Sequence, residues 1–192
     1  MPMDSTSLIP VLSGSLVSNG IVGPNSFQLA TGLATGLSEY ATTGIIVESI
    51  DVGSLGAGIG SGVGVILDPA VFGSMNAAFI SYAIVGLFGP VLATAISDGF
   101  TQAFLQAIVS TISAGVGIGS GEAVLVPDPA VSVASFLSGF ASAGLIGSSM
   151  PQLAEAVASG LDQVLPTSTS TLIIAGPPSV FPGGGTGVGI LS

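Results

Sequence analysis

The 192 residues contain no lysine, arginine or histidine, and cysteine and tryptophan are missing as well. Each absence removes a class of function. Charged residues make up roughly a quarter of an ordinary soluble domain, with both signs present, whereas this chain carries ten acids and a formal charge of -10. Nucleic-acid affinity rests on cations that neutralise phosphates. With none available, nucleic acid is excluded as a partner. General acid-base catalysis near neutral pH falls to His, or to Cys and Lys with shifted pKa values, and developing charge is usually stabilised by cationic or imidazole groups. Zinc and copper sites are built from His and Cys. The inventory therefore predicts a protein that is not an enzyme, with no cofactor and no metal.

The acids are Asp4, Glu39, Glu48, Asp51, Asp68, Asp98, Glu122, Asp128, Glu155 and Asp162. They are spread along the chain without calcium-loop spacing, and are expected to be solvated surface charges. A carboxylate pair of the glycosidase kind meets only in the fold, so spacing nominates none. Without Cys there are no disulfide staples. The start, Met1-Pro2-Met3-Asp4, lacks the basic stretch and short apolar core of a secretory signal, so no leader is expected.

What the chain does contain is a threefold internal repeat. Ile21-Val22-Gly23 recurs 63 positions on as Ile84-Val85-Gly86, and 61 positions further as Leu145-Ile146-Gly147. At the same offsets Leu16, Phe79 and Phe140 align, as do Leu29-Ala30, Leu92-Ala93 and Leu153-Ala154, and then Gly36, Gly99 and Gly160. Asp68-Pro69-Ala70-Val71 and Asp128-Pro129-Ala130-Val131 open the second and third units, giving boundaries of about 8–67, 68–127 and 128–192 within one repeat domain, 1–192.

Each unit reads as an antiparallel pair of helices. In the second unit, Asp68-Pro69 suits a helix start, and Phe72, Met75, Phe79, Tyr82 and Ala83 recur at helical spacing. Gly86-Leu87-Phe88-Gly89-Pro90 forms the corner, and a second helix runs from Pro90 to about Ile108. Thr94, Asp98, Thr101 and Gln102 mark its polar side, opposite Ile96, Phe100, Phe104 and Ala107.

After each hairpin, glycine alternates with other residues, as in Gly58-Ile59-Gly60-Ser61-Gly62 and its identical copy Gly117-Ile118-Gly119-Ser120-Gly121. In an extended chain this leaves one face bare, open to close approach by another backbone. Gly58, Gly60, Gly62, Gly117, Gly119, Gly121, Gly185, Gly187 and Gly189 are therefore candidate interface positions. Ile190 and Leu191 join them, because an apolar tail is expected to pair along a sheet edge. No Walker lysine accompanies the glycines, so phosphate binding is not predicted. The expected fold is α+β and helix-dominated: three tandem repeats of an αα-hairpin, each followed by a Gly-alternating β-strand.

A mean hydropathy of +0.93 is membrane-like, yet the corner splits the uncharged stretch from Pro69 to Ser97 into two short arms, and no basic flanks set an orientation. With 48% apolar residues and ten charges, exposed apolar patches are hard to avoid, and such patches mark interfaces. The sequence thus predicts a structural protein that self-assembles or docks onto a larger particle, a virion component or an extracellular filament or sheath, with itself or other structural subunits as partners. The alternative is a small integral membrane protein with helical hairpins, pore or holin-like.

Overall fold

The structure, a computed structural model, describes the backbone of residues 4–54, 57–66, 68–106, 108–116, 118–126, 128–164, 169–175 and 183–191, and the side chains of 4–40, 71–106 and 128–164. Six helices pack together: α1 (Ser5–Ser18), α2 (Ser26–Gly44), α3 (Asp68–Ser81), α4 (Phe88–Leu105), α5 (Pro129–Ser142) and α6 (Met150–Val164). Each packs on its neighbours in chain order, and α6 returns to α1, so the six close into a ring.

Local chemistry sets the helix ends. The Asp4 carboxylate caps α1 by accepting from the Ser7 amide at 3.0 Å and the Ser7 hydroxyl at 2.9 Å. Asp128 caps α5, accepting from the Ala130 amide at 2.9 Å, with Pro129 as the first helical residue. At the other end α1, α3 and α5 stop in the same way. The amides of Ile21, Ile84 and Leu145 donate to the carbonyls of Leu16, Phe79 and Phe140 at 2.9, 2.8 and 2.8 Å. The residue before each is left-handed, with φ of +77° at Gly20, +58° at Ala83 and +74° at Gly144. This is a Schellman stop, and the half-buried Ile21, Ile84 and Leu145 pack back onto the core.

The core is built in matching sets of three. Leu16, Phe79 and Phe140 are buried together, as are Leu12, Met75 and Phe136, and Leu33, Ile96 and Val157. Size is traded around the ring: Tyr40, Ala103 and Val164 are equivalent positions, and the Tyr40 ring meets Phe100 edge-on at 6.0 Å between centroids.

Contact between units runs through small residues. A methyl group on Gly36 would lie 2.8 Å from the Met75 Cα of α3, and one on Gly99 2.8 Å from the Phe136 Cα of α5; one on Gly160 would strike the Leu12 side chain of α1. Gly36, Gly99 and Gly160 are equivalent, and so are Met75, Phe136 and Leu12. Each hairpin therefore hands the same glycine to the first helix of the next, and the third hands its own to the first.

Between the hairpins the backbone forms β1 (Ile45–Ser54), β2 (Ala57–Ile66), β3 (Ile108–Val116), β4 (Ile118–Val126), β5 (Thr169–Ala175) and β6 (Gly183–Leu191). These pair antiparallel in chain order, and β6 pairs with β1, closing a six-stranded barrel. This corrects two sequence expectations. Each unit contributes two strands rather than one, because the strands that carry the β-branched runs Ile45-Ile46-Val47, Ile108-Val109 and Ile173-Ile174 pair with the strands that carry the alternating glycines. For the same reason α4 ends at Leu105, capped at Gln106, instead of reaching Ile108.

Candidate functional site

Two surfaces compete for attention, the glycine-alternating strands and the helix corners. Of the eleven positions expected to form an interface, Gly117 lies outside the described residues. The other ten sit on β2, β4 and β6 with partners inside the chain. Gly58 lies opposite Gly53 and Ser113, Gly60 opposite Asp51 and Thr111, and Gly62 opposite Ser49 and Val109. Gly119 is opposite Gly115 and Ile174, and Gly121 opposite Ser113 and Leu172. On β6, Gly185 and Gly187 face Asp51 and Ser49 of β1, while Gly189, Ile190 and Leu191 face Leu172, Thr171 and Ser170 of β5. The tail pairs within the chain, and each described strand has a neighbour on both sides. Side-chain directions along these strands, and with them the bare-face expectation, lie outside the described residues.

The corners are different. In chain order α3 and α5 come after β2 and β4, and α2, α4 and α6 come before β1, β3 and β5. The three corners, residues 19–25, 82–87 and 143–149, therefore lie together at the end of the ring away from the helix-strand junctions. Val22, Val85 and Ile146 are equivalent tip residues, and all are exposed, Ile146 at 92%. Leu87 and Phe88, 83% and 70% exposed, stand beside Val85, and Phe27 opens the second helix of the first unit in the same exposed manner. No acid occurs in 19–29, 82–92 or 143–153. Comparisons with known protein families, curated proteins and solved structures find no match.

Asp4, Asp128 and Asp162 serve the fold. Two hydrogen bonds from Ser7, its backbone amide first and then its hydroxyl, hold the Asp4 carboxyl below its ordinary pKa. Asp162, in the last turn of α6, accepts from the buried Ser132 hydroxyl at 3.0 Å. Partial burial pushes its pKa up, against the lowering effect of that bond and with a smaller push from the Asp128 charge. Ser132 is equivalent to the apolar Leu8 and Val71, so this pair is where the third unit departs from an oily core layer. Among the described residues no group of three metal-ligating side chains converges, and no helix is long and apolar enough to cross a membrane.

Sequence reasoning identified Gly86-Leu87-Phe88-Gly89-Pro90 as a corner without marking its apolar residues as exposed. The signal was present: turns are ordinarily polar, and two large apolar residues between glycines have no core position to occupy.

Proposed function

We propose that this chain is a non-catalytic structural building block of three tandem units, each an αα-hairpin with Gly-alternating strand, that self-assembles or docks onto a larger particle such as a virion or an extracellular filament or sheath. The observation that carries this reading is the exposed apolar end of the ring on a molecule with no cationic side chain. A monomer rarely leaves so much contiguous apolar surface to water. Closure refines how assembly proceeds. In an open solenoid, successive repeats of different chains stack end to end. Here the third hairpin covers the first, so neighbours must be recruited through the ends of a finished block.

Sedimentation velocity of the purified, lipid-free protein tests this. Species well above the 18.4 kDa of one chain are expected, growing more abundant as pH falls toward about 4, where carboxylates begin to protonate and repulsion fades. A lone 18.4 kDa particle at high concentration across that range would end the proposal.

A further inference from the structure

We infer that the three-cornered end of the helical ring is a docking face for a second copy of the same chain, joined tip to tip along the pseudo-threefold axis. The inference deepens the self-assembly reading and rests on it.

Area is the first support. Val22, Val85, Ile146, Phe27, Leu87 and Phe88 are each more than three-fifths exposed. Together they present on the order of 800 Å², what one partner contributes to a standard-size stable interface. Two such faces supply a complete one.

Charge selects the occupant. Each copy carries a formal charge of -10 and no positive side chain, so two copies repel wherever acids meet acids. Asp4, Asp68, Asp128 and Asp162 lie at the junction end of their helices, and Glu48, Asp51 and Glu122 lie in the strands. The acid nearest to a corner along the chain, Glu155, is more than one helical turn inside α6. Joining the corner ends keeps most of the acids of two copies apart and places only uncharged residues at the centre, the charge depletion found in interface cores. A basic partner would be drawn to the acids at the other end. The surface that matches an uncharged apolar corner face is another such face, which makes the contact isologous.

Because the chain has no Cys, a single introduced thiol reports its own location. Val85→Cys at a corner and Ala130→Cys at the junction end of α5 are each treated with a short bis-maleimide. Covalent dimer is expected from the corner variant and not from the junction variant. In parallel, Leu87→Ser combined with Phe88→Ser alters only exposed side chains and is expected to weaken dimerisation more than about 100-fold by sedimentation equilibrium, four buried apolar side chains being lost per dimer, with an unchanged circular dichroism melt of the monomer. Cross-linking at the junction instead of the corner, or assemblies that ignore the double substitution, overturns the corner face while leaving self-assembly standing. A wild-type monomer overturns both. Binding of the wild-type protein to phosphatidylcholine vesicles that disappears in the double variant, with no protein dimer, overturns the second copy as the occupant.

Discussion

Three helical glycines that look alike in the sequence should divide in their response to a single methyl group. Gly139 of α5 sits against α4, where an added Cβ would collide with the Ala95 carbonyl oxygen and stand 3.0 Å from the Gly99 amide nitrogen. Both obstacles are backbone, so no rotamer change relieves them. Overpacking of this kind costs about 1–3 kcal/mol, and the upper end applies to a backbone obstacle. The better helix propensity of Ala returns about 1 kcal/mol, leaving Gly139→Ala destabilised by about 2 kcal/mol. Gly14 of α1 and Gly73 of α3 have nothing within 4 Å of the same position, so Gly14→Ala and Gly73→Ala should each gain about 0.5–1 kcal/mol. For a chain of this length 1 kcal/mol moves the melting temperature by about 2–4 °C. Gly139→Ala should therefore melt about 4–8 °C below the parent, and the two controls slightly above it. Circular dichroism melts at matched concentration, with the oligomeric state checked by sedimentation, measure this directly. A Gly139→Ala protein as stable as the parent, or a Gly14→Ala protein that loses as much, would refute the close α4-α5 crossing and with it the ring.

Ala83 occupies the left-handed position that glycine fills in the other two corners, so Ala83→Gly should raise stability by about 1 kcal/mol and Gly144→Ala should lower it by a similar amount; equal melting temperatures for all three proteins would count against the Schellman stops. Asp162 titrates above its ordinary value of 3.8. Relative to the unfolded chain its contribution to stability is complete below 3.8 and is lost as pH rises through the raised folded value. Asp162→Asn keeps an acceptor for Ser132 and should melt higher than the parent at pH 7, the difference closing as pH falls below that value; a variant less stable at pH 7 would show that the charge is favourable. Asp4 acts in the reverse sense, its contribution being lost as pH falls, so the comparison is between parent and variant at each pH.

Much of the hairpin was legible because its determinants are local. Asp128-Pro129 marked a cap and a first turn, and Ile96, Phe100 and Phe104 fell on the buried side of α4, with Thr94 exposed and Thr101 and Gln102 half-buried on the other. The first strand of each unit was harder to see. In the first unit Ile45 follows the last residue of α2 directly, and what makes such β-branched residues a strand is a partner farther along the chain. Ring closure depends on crossing angles that no single unit encodes. One clue was nevertheless present. An open repeat array ends in atypical units with polar outer faces, whereas the last unit here retains Gly160, the residue each unit uses to meet its successor. The exposed corner was missed because hydropathy patterning assigns apolar residues to a core, and only the fold shows that Leu87 and Phe88 have none to enter.

Joining three equivalent hairpins in one polypeptide frees them from identity. In a trimer of separate chains, any change at a corner appears three times around the axis. Here one corner bears Leu87-Phe88 while its counterparts bear Pro24-Asn25 and Ser148-Ser149. Such lopsidedness gives a nearly symmetric block a preferred rotational setting against whatever it meets, which identical subunits cannot encode.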